Sequence, residues 1–470
     1  MINFFKTYKL FCELNKQYKN SMRFNFFKIY YILIFTLCCP FFLQAQTPRD
    51  SLAPVVSLEE CIRYALKNQP VLKQTQLDQE INERNIDIAL AAWLPQVNGT
   101  GNLQHYFELP TTTFPNGTGG TTISKVGIYN TSVLTLGATQ VIYNNDVLLA
   151  SRGAKYSRRF YQQNTQVNQI NIGADVSKAF YDVLLSQKQL DIINADILRL
   201  RLALKDAYQQ YQAGVVDKID YKQATIALNN TLSSYKTTQE AVKSKTAVLR
   251  QLMGVTAERT IMPVYDSLRL VQETQVDTMQ MLDVRNRIEY QQLETQRTLQ
   301  GLNVSYYKWG FLPSLSAFGN YNLGYLNNQF SSLYDRSFPN SLIGLNFSIP
   351  IFQGSRRLQN LRKARLQVDR ASLDLVNEHT IINTEYEQAL SNYKSSYYDM
   401  QTLKQNVDLA RDVYNVVFLQ YREGIKTYLD VIVAQSDLRT SELNYNNALF
   451  TVLASKIDLQ RALGSLPVNY

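Results

Sequence analysis

The sequence predicts a mixed fold: long antiparallel coiled-coil helices building an α-helical barrel, joined to a transmembrane antiparallel β-barrel to which each chain brings four strands. Three observations lead there. Short motifs recur in the same order about 210–218 residues apart, so two internal repeats are read. Two pairs of segments alternate apolar and polar residues with period two. Two helical patterns each run for roughly 65 residues, which at about 1.5 Å per residue gives rods near 100 Å.

Composition narrows the field before any element is placed. The chain has 470 residues, 45% hydrophobic and 19% charged. Its mean hydropathy of -0.24 excludes a polytopic bundle of membrane helices. Two His and four Cys leave little material for zinc, iron–sulfur or haem centres, and no cofactor is expected.

Residues 1–45 read as a signal peptide. Lys6, Lys9, Lys16, Lys19, Arg23 and Lys28 oppose only Glu13, the apolar run Ile29–Leu43 follows, and Ala45 closes a small-residue cleavage site. Met22 is an alternative start, and an uncleaved anchor is the competing reading. Removing six of 48 basic and one of 39 acidic residues leaves 42 against 38, a net charge of +4. A nucleic-acid partner therefore loses its electrostatic support. Cys12, Cys38 and Cys39 leave with the leader, so Cys61 stands alone and no disulfide framework exists. Leu37 before Cys38, and Cys38 before Cys39, are not the small residue that lipidation needs.

The mature chain, 46–470, divides into repeat one at about 57–254, an equatorial linker at about 255–281 and repeat two at about 282–464. Asn68-Gln69-Pro70 and Trp93-Leu94-Pro95 return as Asn286-Arg287-Ile288 and Phe311-Leu312-Pro313, offset by 218. Gln140–Asn144 returns as Ile349–Gln353, offset by 209. Tyr211–Gly214 returns as Tyr421–Gly424, and Asp220, Ala224, Leu228 and Tyr235 as Asp430, Ala434, Leu438 and Tyr445, offset by 210.

Each repeat reads helix, strand, strand, long helix, tight turn, helix. The β-hairpins fall at about 96–143 and 314–352, with loops at Pro110–Asn130 and Asn327–Asn340 rich in Thr, Gly, Asn, Ser and Pro. Alternation puts Gln96, Asn98, Thr100, Gln104, Ser314, Asn320 and Asn322 on one face. Val97, Leu103, Phe107, Leu134, Leu136, Ile142, Leu315, Tyr321, Leu323, Ile343, Leu345, Phe347, Ile349 and Ile351 form the other, with Gly99 and Gly101 on that apolar side. Tyr106, Phe107, Tyr143, Phe311, Tyr325 and Phe352 sit near strand ends, where aromatic girdles lie. Along the helices, apolar residues recur at steps of three and four from Val176 to Tyr211 and from Leu361 to Tyr421. Four strands cannot close a barrel, and open edges are forbidden in hydrocarbon, so several chains must pool their hairpins.

The Asn-x-Pro segment at Pro70, the Trp93-Leu94-Pro95 exit, the Gln140–Asn144 motif and the Gly-x(5)-Asp turns together resemble the outer-membrane efflux protein family, the TolC-like ducts. The likeness spans about Ser57 to Gly464. It implies a homotrimer with a twelve-stranded barrel in the outer membrane, helices crossing the periplasm, a periplasmic adaptor and an inner-membrane pump of RND or ABC type. It implies a passive conduit for efflux or type I secretion, not an enzyme, with cargo chosen by the pump.

The turns Tyr211–Asp220 and Tyr421–Asp430 join the helix pairs at the end far from the strands. Gly214 and Gly424 suit the ends of helices, and Asp220 and Asp430 suit the starts of the returning ones. The resemblance makes this end the periplasmic entrance and adaptor-docking tip. It makes Asp430 a ring carboxylate, Tyr421 and Lys426 gate latches, and Asp220 their acceptor. Val433 replaces a second entrance carboxylate found in some members, which thins the ring to one acid per subunit.

Other signals are set aside. Gly117–Gly120 resembles a phosphate loop, but no strand is expected before it and no helix after it. His379 falls on the apolar stripe of its helix, and His105 on the apolar face of its strand. The rival readings are a periplasmic adaptor, which carries one hairpin inserted into β domains, and a structural coiled-coil protein, which needs no alternating strands.

Overall fold

The computed structural model describes residues 54–115, 120–256, 258–264 and 267–467. The expected leader, its three cysteines and the start at Met22 lie outside them. In chain order the elements are β1 (Val55–Val56), α1 (Leu58–Asn68), α2 (Pro70–Ala91), β2 (Gln96–His105), β3 (Thr111–Pro115), β4 (Thr121–Lys125), β5 (Asn130–Tyr143), α3 (Asn145–Gln212), α4 (Lys218–Met253), β6 (Met262–Pro263), α5 (Ser267–Glu273), α6 (Ile288–Trp309), β7 (Ser314–Asn327), β8 (Ser337–Ser348), α7 (Arg356–Arg422) and α8 (Tyr428–Ala462).

Local chemistry sets the helix starts. Ser57 and Glu60 form a reciprocal capping box at the head of α1. Pro70 opens α2 at its first helical position, where a missing N–H costs nothing. The Asn144 side chain accepts from the Asp146 amide at 2.7 Å and launches the 68-residue α3. Cys61 is fully buried in α1, and burial pushes its thiol up to about 12.

Four strands form one antiparallel sheet in the order β2-β5-β7-β8, leaving β2 and β8 as its edges. The register puts Thr100, Thr135, Asn322 and Asn340 in one row and Gly101, Leu134, Leu323 and Pro339 in the next. The seven residues expected on the polar face share a face. Asn322 bridges its neighbours there, accepting from Thr135 Oγ1 at 2.7 Å and donating to Asn340 at 2.7 Å. None of the four strands carries Asp, Glu, Lys or Arg.

Several expectations need correction. The stretch Pro110–Asn130 is not a plain loop: β3 and β4 pair within it as a second, exposed hairpin. A strand therefore does precede the glycines at 117–120, and another strand, not a helix, follows them; residues 117–119 lie outside the described ones. Strand β2 ends at His105, short of Phe107 and Leu109, and β8 already includes Asn340. Ile349 and Ile351 lie beyond β8. A bulge at Val141–Tyr143 interrupts the alternation and sets Tyr143, rather than Ile142, opposite Leu315 on the apolar side. His105 keeps its register position and hydrogen-bonds Asn130 Oδ1 at 2.6 Å. His379 is exposed rather than seated on the buried stripe, and contacts Asn383.

The long helices pair as the three-four spacing predicts, α3 with α4 and α7 with α8, and the two pairs meet where α3 packs on α8. Val176, Phe180, Val183, Ile193, Ile197, Leu200 and Ala207 are buried along α3. Ala389, Tyr393 and Met400 of α7 close on Val452 and Leu459 of α8. A buried polar cluster fastens the pairs: the Asp196 carboxylate accepts from Gln435 at 2.7 Å and from Arg439 at 3.3 Å, and Arg439 also donates to Thr231 of α4. The segment between α4 and α6 straps across these helices. Tyr393 donates to the Thr274 carbonyl and accepts from the Val276 amide, and Tyr386 donates to the Gln280 carbonyl.

One junction occurs twice. Gly254 at the end of α4 sits at φ +71°, and an added Cβ would lie 3.0 Å from the Asn68 carbonyl. Gly464 beyond α8 sits at φ +69°, with the Asn286 carbonyl 3.1 Å from such a Cβ. Beside each, the next residue reaches a helix-end carbonyl: Gln69 donates to Leu252 O and Arg287 to Ala462 O. Gly464→Ala combines a left-handed backbone with that close contact and is expected to cost about 1–2 kcal/mol. The check is a lowered thermal midpoint of the purified protein, with Gly153→Ala, which meets open space inside α3 and is expected to hold or raise the midpoint, as the control.

Candidate functional site at the helical tip

Each helix pair turns through a glycine. Gly214 (φ +72°) follows α3 and Gly424 (φ +75°) follows α7. The Val215 amide donates to Gln210 O at 3.0 Å, and the Ile425 amide to Gln420 O at 2.8 Å, closing both helix ends in the same way. The structure thus puts both predicted glycines at the tip.

The two predicted acids share a helix position but differ in environment. Asp430 belongs to a capping box: Thr427 donates to its carboxylate through the amide (2.9 Å) and the hydroxyl (2.7 Å), and the Asp430 amide donates back to Thr427 Oγ1 (3.3 Å). The Thr427 hydroxyl and amide, with Lys426 at 3.8 Å, hold the Asp430 carboxyl below the usual range. Asp217 stands where Thr427 does, but its side chain caps nothing. Asp220 is half-buried, and burial together with the Asp217 charge raises its carboxyl above the usual range.

Tyr421 is buried, and its hydroxyl donates to Gln210 Oε1 at 3.0 Å, linking α7 to α3. Asp220 acts on it only through its charge, which with burial raises the Tyr421 phenol. The structure therefore brings Tyr421 to Gln210, and Lys426 to Asp430, rather than bringing either to Asp220. Sequence reasoning missed Gln210, Thr427 and Tyr428. The Thr-x-x-Asp spacing at 427–430 carried a capping-box signal that could have found Thr427. Tyr428 packs against Tyr421 with ring centroids 5.7 Å apart, and its buried hydroxyl has no hydrogen-bond partner among the described residues. Ala203, Ala224 and Val431 complete the apolar cluster around this pair.

The family model described as outer membrane efflux protein matches residues 61–255 and 303–465. The chain belongs to that family. As an outer membrane efflux protein it shares 21% identity over 418 residues with the outer membrane protein TolC of Vibrio cholerae, covering 87% of this chain and 91% of the relative. Its fold is that of solved membrane channels. CusC superposes with a TM-score of 0.70 at 17% identity, over 86% of this chain and 91% of CusC. The Campylobacter jejuni outer membrane channel CmeC gives 0.68 at 18% identity, over 87% and 85%. No described helix of this outer membrane efflux protein is long and apolar enough to cross a membrane.

The tip acids are expected to answer acidification in opposite senses. The folded chain holds the Asp220 proton above the unfolded value of 3.8, so falling pH relieves a buried charge before the unfolded chain titrates. Asp430 supports the fold above 3.8 and loses that support as pH falls through its lower folded value. Thermal midpoints against pH check this: Asp220→Asn removes a gain on acidification, and Asp430→Asn removes a loss.

Proposed function

We propose that three copies of this chain pool their sheets into a twelve-stranded barrel in the outer membrane, and their long helices into a periplasmic tube. The product is the passive exit duct of a tripartite efflux or type I secretion system. One observation carries the reading: a four-stranded sheet, largely apolar on one face and bearing the amide-rich positions on the other, whose edges β2 and β8 are each paired on one side only among the described residues. Unpaired backbone groups cost several kcal/mol each in hydrocarbon, so such a sheet enters lipid only when its edges meet other chains. The polar face then lines a water-filled lumen, and the apolar face meets lipid. The resemblance to the family supports three such shares as the number that closes the barrel.

The two-repeat organisation, with its linker at about 255–281, is supported by the doubled junction: Asn68, Gln69 and Gly254 meet as Asn286, Arg287 and Gly464 do. Relatives named as efflux pump outer membrane proteins, TtgC and TtgF of Pseudomonas putida, support a pump as partner. A periplasmic adaptor docking at the Gly214 and Gly424 turns completes the machine. Around the three-fold axis, one Asp430 per subunit rings the entrance; like charges brought together there concentrate cations. Tyr421, Lys426 and Asp220 work the gate, with Tyr421 held by Gln210 in the present conformation.

Two measurements test the proposal. On gels of outer-membrane extract, the unheated protein is expected to migrate as a detergent-resistant trimer and, after boiling, as a monomer; a monomer in both lanes overturns the pooled barrel. In single-channel recording, Asp430→Asn is expected to weaken block by multivalent cations. Unchanged block removes Asp430 from the entrance ring.

A further inference from the structure

Beneath the sheet, where strands pass into helices, a cleft of about 280 Å³ opens between α3 and α6. Tyr143, Leu148, Leu302, Tyr306 and Trp309 wall it, and Arg152 sits among them. Its upper wall is Tyr143, which the bulge sets opposite Leu315 on the apolar face of the sheet. The cleft thus continues the surface that the proposed barrel turns toward lipid. Its floor is pinned: Asn145 donates to the Tyr306 carbonyl at 2.8 Å, and the Tyr306 hydroxyl donates to Asp146.

The walls are apolar, yet the cation beside them is unspent. Arg152 is exposed and makes no ion pair among the described residues. Exposed Lys308 lies 5.4 Å from the centre of the Trp309 ring and has no carboxylate partner either. Arg152 follows the last strand residue by nine positions, a drop of about 12 Å along α3. Helical side chains lean toward the helix N-terminus, here the sheet end, so the guanidinium is carried back toward the strands. The headgroup layer on each side of a bilayer is about 5–8 Å deep. An arginine reaching up from below and a tryptophan at the level of the strand ends therefore bracket that layer.

The geometry points to a specific seat for an anionic phospholipid of the periplasm-facing leaflet. One acyl chain lies at the mouth of the cleft against Tyr143 and Trp309, and the phosphate is bound by Arg152 with Lys308 nearby. Charge complementarity and continuity with the apolar sheet face select this occupant. A helix of another protein would find too little volume, and a free anion would leave the apolar walls empty. The inference rests on the barrel reading of the sheet.

Trp93 and Trp309 are the two tryptophans of the chain, so Trp93→Phe leaves Trp309 as the sole reporter. This protein is reconstituted in vesicles of phosphatidylcholine carrying rising mole fractions of either brominated phosphatidylglycerol or brominated phosphatidylcholine. The anionic lipid is expected to quench Trp309 at about fivefold lower mole fraction, the preference of one basic residue for an anionic headgroup. Arg152→Gln is expected to erase that preference while leaving trimer migration on gels unchanged. Excess soluble glycerol phosphate is expected to leave the preference intact; its loss would assign the site to a free anion and overturn the lipid seat. Equal quenching by both lipids, or a preference that survives Arg152→Gln, overturns the lipid seat and leaves the barrel standing. No quenching by either lipid overturns the barrel reading and the seat together.

Discussion

The architecture turns on unmade hydrogen bonds along two strands. In the single chain, β2 and β8 each present one row of backbone N–H and C=O groups with no ladder partner. In water such groups are hydrated at small cost, and in hydrocarbon they are not. The same sheet has one face of leucine, isoleucine, tyrosine and phenylalanine that water disfavours. Neither solvent suits a lone copy, so in the proposed barrel membrane insertion and self-association become one event. The helices below share that logic at lower stakes: their partly exposed stripes gain from neighbours, but their backbones are already satisfied.

What the sequence disclosed depended on range. Period-two alternation lies within ten residues, and it placed all seven polar-face residues correctly. Three-four spacing is also local, and it marked the core of α3 and α7. The hairpin β3–β4 was hidden because Thr111–Thr113 and Thr121–Thr122 sit among Pro, Asn and Gly; turn composition outweighed the strand preference of β-branched threonine. Tyr143 was displaced by a bulge, which adds one residue and leaves no compositional trace. The Tyr421–Gln210 bond spans 211 positions and needs the packing of α7 on α3 to exist at all. Exposed His379 shows the same limit: heptad position alone does not decide which flank of a stripe meets a partner.

The tip shows how matched positions can diverge through a neighbour. Asp220 and Asp430 stand at the same place in their helices, yet Thr427 gives one a hydroxyl donor while Asp217 gives the other a second negative charge. One acid is spent on building its helix end, and the other is held half-buried in an environment that disfavours its charge. Tyr428 lies between these environments, its phenol raised by burial, then by Tyr421 and Asp220. The two halves of the tip therefore present unlike surfaces although they share one backbone design.

The absence of Asp, Glu, Lys and Arg from all four strands bears on traffic through the proposed duct. On the proposed barrel the inner wall mixes amides and hydroxyls with Phe318, Phe338 and Leu342, which offers hydrogen bonds to many solutes and a fixed field to none. Anionic, cationic and zwitterionic cargo would pass the membrane level on equal electrical terms, with no well deep enough to hold one ion and stall the queue behind it. On the proposed reading, discrimination by charge is left to the far end, roughly 100 Å away along α3 and α7, well beyond the screening length of physiological salt. Such a conduit can be reassigned to a new cargo by changing what feeds it, with no revision of the barrel.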